Sequence, residues 1–312
     1  MNADPLPSWH PAPSRPRLRL PAGACDAHAH VLGPRARFPF AKGRTFTPAD
    51  APKERLFALH ERLGFERCIV VQSACHGFDN FVTTDAIAAK AGNYRGVALV
   101  PADVPTNELR RLDALGFCGA RFNFMKHLGA APAVDKVVAL TARLAPLGWH
   151  LRVHMEPALI EELGSRLRHS PVPVVIEHMG RIDASLGLEQ PAFRALLRLM
   201  HNQCFWIEVS GADRVSRRPE PWSDAVPFAR VLVEQFGERV LWGTGWPHQN
   251  VDTLPDDGRL VDLLSEIAPT EAQLHALLVK NPQRLFRFVD EQRFLTNKTS
   301  ALIGRPPRTS MR

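Results

Sequence analysis

The chain has 312 residues, of which 45% are apolar, and its formal net charge at pH 7 is +7. This length and composition predict one large or two small globular domains and exclude a disordered chain. No run of 18 consecutive apolar residues occurs, so the sequence also excludes a transmembrane helix and predicts no membrane partner.

The positive charge is concentrated at the two ends of the chain. Residues 1–23 contribute a net charge of +2 and residues 291–312 a net charge of +4, which leaves about one charge for residues 24–290. No basic face is therefore predicted for the body of the protein, and nucleic acid is not an expected partner. Residues 1–23 are rich in proline and lack an apolar stretch, so we expect an extended lead-in segment rather than a signal peptide. Residues 291–312 are expected to form a flexible basic tail.

The five cysteines are scattered along the chain and form no C-x-x-C pair. Such usage is typical of a reducing compartment, so we expect the protein in the cytoplasm. It also argues against a zinc–thiolate site.

The secondary structure predicted in chain order is an alternation of strands and helices. Short apolar, β-branched runs predict eight strands at Ala24–Leu32, Arg67–Ala74, Tyr94–Pro101, Gly119–Met125, His150–Glu156, Val172–Met179, Cys204–Ser210 and Arg239–Thr244. Amphipathic stretches predict helices at Thr106–Gly116, Val134–Gly148, Pro157–Arg168, Pro191–Met200, Asp224–Phe236 and Thr270–Leu278. This pattern predicts a single α/β domain over residues 24–290, a (β/α)₈ TIM barrel. An open doubly wound sheet is the alternative, but no G-x-G-x-x-G follows the first strand.

In such barrels the catalytic residues lie at the carboxyl ends of the strands. The first predicted strand has polar residues near that end. Its alternation places Asp26, His28 and His30 on one face. Two imidazoles that converge there are able to ligate a divalent metal or to polarise a carbonyl oxygen. The structural alternative is a polar strand end with solvated histidines.

Three later strands also have, on them or directly after them, side chains that could catalyse a reaction or bind a substrate. His178 follows Val174 and Ile176 on one face of the sixth strand, and a buried structural histidine is the alternative. Arg121 on the fourth strand requires a carboxylate partner, which is either a neighbouring side chain or a substrate. Arg214, after the seventh strand, is placed to reach the same mouth.

Several motifs together resemble the 2-pyrone-4,6-dicarboxylate lactonase group of the amidohydrolase superfamily. The similarity extends over roughly residues 8–288 and rests on DAHAHVLGP, RFPF, LGF, VQSACHG, GARFNFMK, VVIEHMGR, WGTGWPHQN and NPQRLF. In combination these motifs are far more specific than any one of them.

The resemblance implies a barrel hydrolase that opens a carboxylated lactone without a metal or other cofactor, in the catabolism of aromatic compounds. It implies that His28, His30 and His178 polarise the lactone carbonyl. It also implies that Arg121 and Arg214 bind carboxylates of this small-molecule substrate.

The sequence departs from the group at four site positions. The water-activating Asp of the group is replaced by Gly245, and an Arg and two Tyr are replaced by His127, Phe46 and His154. Loss of a general base removes a factor of roughly 10²–10⁴ in rate, so slow turnover is expected. The replaced donors predict weaker recognition of a dicarboxylate.

Two residues are the nearest substitutes for the missing base, namely Glu156 and His248, and His248 is also expected at the substrate site. Two other functions stay open at this point. One is an inactive variant that binds a ligand without turning it over. The other is a metal-dependent hydrolase or decarboxylase of the same superfamily.

Overall fold

The computed structural model describes residues 8–251 and 253–288. Its centre is an eight-stranded parallel sheet in which the strands follow one another in chain order from β1 to β8. The strands are β1 (Cys25–Ala29), β2 (Arg67–Val71), β3 (Tyr94–Leu99), β4 (Phe117–Phe124), β5 (His150–Met155), β6 (Val174–Ile176), β7 (Phe205–Glu208) and β8 (Val240–Leu241).

Hydrogen bonds between the two ends of the sheet bring it close to a closed barrel. The amide of Ala27 donates to the carbonyl of Trp242 at 2.9 Å, and the amide of Gly245 donates to the carbonyl of His28 at 2.8 Å. These bonds confirm the predicted (β/α)₈ barrel and exclude the open doubly wound sheet.

Helices alternate with the strands and cover the barrel. They are α1 (Lys53–Leu63), α2 (Phe81–Ala89), α3 (Thr106–Ala114), α4 (Val134–Leu144), α5 (Ile160–Leu167), α6 (Pro191–Met200), α7 (Ala212–Val215), α8 (Val226–Phe236), α9 (Asp257–Asp262), α10 (Leu264–Ile267), α11 (Glu271–His275) and α12 (Asn281–Phe286). Leu109 and Leu112 of α3 and Phe193 and Leu196 of α6 are among the side chains that bury the apolar faces of the helices. None of the helices in these residues is both long and apolar enough to cross a membrane.

The observed elements differ from the predicted ones mainly at their ends. The predicted eighth strand shrinks to two residues because the chain from Trp242 onward bonds to β1 instead of extending the ladder with β7. The predicted capping box at Thr270 is present, with the amide of Gln273 donating to the Thr270 hydroxyl at 3.2 Å. The sequence analysis missed α2, in which the apolar residues do not gather on one face and Phe81 at its start is 67% exposed.

The described part of the lead-in segment, residues 8–23, contains no helix or strand. It runs along α9, where Asp256 accepts a bond from the amide of Ser14 at 2.9 Å and Asp262 accepts one from the amide of Leu18 at 3.0 Å. The predicted basic tail, 291–312, lies outside the described residues.

Candidate active site

A half-open cavity lies at the carboxyl ends of the strands and gathers most of the predicted site residues. His30, Arg121, His154 and His178 line it from the strand ends, and Phe46, His127 and Arg214 line it from the segments that follow the strands. No residue that lines it in the described part of the chain is acidic. The cavity therefore combines imidazoles with two guanidinium groups.

His28 is fully buried and lies beneath this cavity rather than in its wall. Its Nδ1 is 3.0 Å from Glu208 Oε1, and its Nε2 is 3.3 Å from Nε2 of His30. His30 donates from Nδ1 to the carbonyl of Val71 at 2.6 Å. Burial lowers the pKa of both rings, to about 3 for His30, so both imidazoles are neutral at pH 7.

Asp26 does not join the two histidines, although strand alternation predicted one shared face. The pairing of β1 with β2 shifts register between Asp26 and Ala29. The Asp26 carboxylate instead accepts bonds from the Thr244 hydroxyl at 2.6 Å and from His60 Nε2 at 3.1 Å. It ties the eighth-strand segment to β1 and so supports the backbone of His28.

Glu208, at the end of β7, is a site residue that sequence reasoning missed. Its carboxylate is fully buried, contacts Nδ1 of His28, and lies 2.9 Å from Nη2 of Arg152. Burial raises the pKa of Glu208, while Arg152 opposes that effect. Arg152 and Glu208 are charged residues within strands that are rich in apolar residues. Because buried charges are almost always paired, this pattern could have indicated from the sequence that the two residues pair with each other.

His178 is aimed at the cavity by a tight turn after β6. His178, Met179 and Arg181 have φ values of 50°, 51° and 57°, which are left-handed and rare for residues other than glycine. Its Nδ1 lies 2.8 Å from the Ser210 hydroxyl, which in turn donates to Glu208. Burial lowers the pKa of His178, so this ring is neutral as well.

Arg121 reaches the cavity while it holds a second buried carboxylate that the sequence analysis missed. Its Nε and Nη2 donate to Glu177 at 2.9 and 2.6 Å, and Nη2 is also 3.3 Å from Nδ1 of His154. The sequence analysis left open whether the carboxylate partner of Arg121 is a neighbouring side chain or a substrate. The structure shows a side-chain partner, Glu177. Substrate binding by Arg121 remains a prediction.

Arg214 lines the cavity, and Arg181, which does not line it, lies close enough to Arg214 to interact with it electrostatically. Within the described residues, Arg214 donates to the carbonyl of Gln249 at 3.3 Å. Arg181, which the sequence analysis did not select, is half-buried, and burial together with Arg214 lowers its pKa to about 10. An anion placed between them would relieve their mutual repulsion.

Gly245 adjoins His178 but does not line the cavity. It has a φ of +72°, and the nearest atom to a Cβ built there is Cε1 of His178 at 3.9 Å. The position is open in space, whereas its backbone conformation strains any side chain.

The structure does not bring the two substitute bases to the cavity. His248 is buried, its Nε2 lies 2.9 Å from Asp257 Oδ1, and its Nδ1 lies 3.8 Å from Asp213 Oδ2. It therefore joins the loop after β8 to α7 and α9. Glu156 accepts the amide of Lys126 at 3.1 Å outside the cavity wall.

The donor set does not fit a divalent metal ion. Among the described residues, two groups have candidate ligand atoms within 4.8 Å of one another, namely His28 with His178 and Glu208, and His154 with Glu177 and His178. In each group the only carboxylate is already paired with a buried arginine, Arg152 or Arg121. The two positive charges would repel a dication that the carboxylates no longer neutralise.

Comparison with known proteins shows that this sequence is similar to those of lactone hydrolases. The amidohydrolase family model matches residues 25–288. A 2-pyrone-4,6-dicarboxylate hydrolase of Comamonas testosteroni is 44% identical over 288 residues, covering 89% of this chain and 94% of that protein. A 4-sulfomuconolactone hydrolase of Hydrogenophaga intermedia is 37% identical over 277 residues, covering 86% of this chain and 90% of that protein.

Solved structures show the same likeness. A protein of Acinetobacter baumannii named as a 2-pyrone-4,6-dicarboxylic acid hydrolase, solved with citric acid bound, has a TM-score of 0.77 at 26% identity. The match covers 85% of this chain and all of that one.

Proposed function

Because this chain belongs to the amidohydrolase family, we propose that it is a lactone hydrolase whose substrate carries carboxylate groups. Its relatives are named as hydrolases of a pyrone dicarboxylate and of a sulfonated muconolactone, and both of these names describe cyclic esters with anionic substituents. The reaction is attack of water on the ester carbonyl with opening of the ring.

The positive charge of the cavity wall is the observation that supports a carboxylated substrate. Arg121 and Arg214 face the same cavity, Arg181 stands beside Arg214, and no described lining residue is acidic. Buried and half-buried guanidinium groups favour carboxylate partners, which they hold by charge-assisted hydrogen bonds. A lactone with at least one carboxylate would be oriented by the rim while its ester group rests on the histidines below.

The histidines supply polar groups where charge develops during hydrolysis. His30, His154 and His178 meet at the floor of the cavity, and His28 supports them from beneath. An imidazole N–H next to the carbonyl oxygen would stabilise the oxyanion of the tetrahedral intermediate. Since the carboxylates of Glu177 and Glu208 are each paired with a buried arginine, we propose that the reaction proceeds without a metal ion.

The location that we propose is the cytoplasm. All five cysteines are free thiols, and four of them are buried. Free thiols support a reducing compartment.

The test is a turnover assay on matched lactones. Purified protein would be given 2-pyrone-4,6-dicarboxylate, 4-sulfomuconolactone and the dimethyl ester of the pyrone dicarboxylate, each with and without a chelator. We expect hydrolysis of at least one anionic lactone, little hydrolysis of the diester, and no effect of the chelator.

Two outcomes would contradict the proposal. Turnover that the chelator abolishes and added metal restores would establish the metal-dependent alternative. Tight binding of the anionic lactones without ring opening would establish a ligand-trapping variant.

A further inference from the structure

The position of one hydrogen on His178 follows from its neighbours. A serine hydroxyl carries a single hydrogen, and Ser210 donates it to the Glu208 carboxylate. Ser210 therefore accepts the bond that joins it to Nδ1 of His178 at 2.8 Å. His178 carries its hydrogen on Nδ1, and the lone pair of the neutral ring is on Nε2.

His154 has the opposite arrangement. A guanidinium group only donates, so Nδ1 of His154 accepts from Nη2 of Arg121 at 3.3 Å. The hydrogen of this neutral ring is then on Nε2, which is buried and has no hydrogen-bond partner among the described residues. His154 lines the cavity, so this N–H is a donor beside the cavity that no described group of the protein uses.

His30 cannot take that donor role. Its Nδ1 hydrogen is used by the carbonyl of Val71 at 2.6 Å, so Nε2 of the neutral ring is an acceptor. Of the three strand-end histidines in the cavity wall, His154 alone offers a free N–H, while His178 offers a free lone pair. Their ring centres are 5.5 Å apart.

We propose that His178 is the base that activates water in this chain, and that His154 donates to the carbonyl oxygen of the lactone. Ser210 and Glu208 are positioning residues that hold the hydrogen on Nδ1 of His178. This assignment rests on the proposed lactone hydrolysis and replaces the carboxylate that Gly245 lacks. A Cβ built at Gly245 would lie 3.9 Å from Cε1 of His178, so Gly245 places no side chain against this base.

The step balances without any further reactant. Water forms a bond from its oxygen to the carbonyl carbon while one of its protons moves to Nε2 of His178. The carbonyl π pair moves to oxygen, which accepts the hydrogen bond from Nε2 of His154. Collapse of the intermediate breaks the ring C–O bond, and the leaving oxygen takes the proton back from His178. The product is the ring-opened hydroxy acid or its enol.

The first test measures the tautomers and does not require activity. Long-range ¹H–¹⁵N spectra of protein labelled with [¹⁵N]histidine distinguish Nδ1–H from Nε2–H rings. We expect His178 as the Nδ1–H form and His154 as the Nε2–H form, each assigned by its loss in a His→Gln variant. His60 is an internal reference for Nε2–H, because Asp26 accepts from that nitrogen at 3.1 Å.

The result that would overturn the assignment is an Nε2–H ring at His178. It would mean that a protonated Glu208 donates to Ser210 and that Ser210 donates to Nδ1. His178 would then be a donor and not a base.

The second test measures turnover of an anionic lactone by three variants. We expect His178→Gln to lose roughly 10²–10⁴ in kcat. Ser210→Ala is expected to lower kcat with little change in KM and to shift the acid limb of the pH–rate profile, whereas Ser210→Thr, which keeps the hydroxyl, is expected to restore both. His169→Gln, at an exposed site, is the matched control.

The outcomes separate this inference from the proposed function. If the native protein hydrolyses the lactone and His178→Gln retains its rate, the assignment of the base fails while the proposed function stands. If the native protein hydrolyses no anionic lactone, the proposed function fails first, and the spectra still decide where the hydrogens lie.

Discussion

Arg121 binds both carboxylate oxygens of Glu177, and this single ion pair connects β4 to the end of β6 beneath the substrate cavity. Both side chains are almost fully buried, at 5% and 0% exposure. The Arg121 guanidinium, which lines the cavity, therefore also neutralises the buried carboxylate of Glu177.

Removal of this guanidinium is expected to destabilise the fold. Arg121→Met leaves Glu177 buried without its partner and should reduce the free energy of unfolding by about 3–5 kcal/mol. Chemical denaturation checks this value. The double variant Arg121→Met/Glu177→Met should recover most of the stability, because no uncompensated charge remains. Unchanged stability in the single variant would show that the pair contributes nothing.

Removal of Arg214 is expected to affect ligand binding instead. Arg214 is half-buried and makes one bond to the described residues, so Arg214→Met should retain the native melting temperature. Citrate is a suitable probe, because guanidinium groups bind its carboxylates by charge-assisted hydrogen bonds. Calorimetry should show an affinity at least thirtyfold lower, or about 2 kcal/mol. Arg217→Met, at an exposed arginine paired with Asp183, is the matched control and should bind citrate normally.

Substitution of Gly245 tests whether the chain lacks a base. Asp and Asn tolerate the left-handed conformation at φ +72° better than other residues, at a cost of about 1 kcal/mol. If His178 is the base, the rate of lactone opening by the Gly245→Asp variant should exceed the rate by the Gly245→Asn variant by less than tenfold. A gain of roughly 10² or more would instead support the expectation from sequence that a carboxylate is missing.

The buried histidines predict a loss of stability in mild acid. Burial holds the pKa of His28, His30, His150 and His178 below the unfolded value of about 6.5, so below that pH the unfolded chain binds more protons than the native one. The free energy of unfolding should fall from pH 7 to pH 5. Glu208 acts in the opposite direction, because its raised pKa lets the native state take up a proton first.

His150 isolates one of these contributions away from the cavity. Both of its ring nitrogens are buried. His150→Leu should reduce the pH dependence of the free energy of unfolding by one proton, or about 1.4 kcal/mol per pH unit. Urea titrations at several pH values measure this slope. An unchanged slope would mean that His150 is protonated in the native state or does not titrate differently on unfolding.

The amino-acid pattern by itself determined the architecture, the location of the site and the class of reaction expected there. Alternating apolar strands and amphipathic helices predict the barrel, since such units have few ways to bury their apolar faces. The carboxyl ends of parallel strands share one rim, so His30, Arg121 and His178 could be placed together without coordinates. Their residue types already indicated a polarised carbonyl and an anionic substrate.

Only the tertiary structure decided which charges neutralise one another and where the protons lie. Glu177 is 56 residues from Arg121, and Glu208 is 180 residues from His28, so no local pattern connects them. His248 illustrates the converse, because its motif suggested the substrate site whereas the fold buries it against Asp257. The physical reason is that a buried charge is tolerated wherever any partner reaches it, and the packing of distant segments, rather than spacing in the chain, selects that partner.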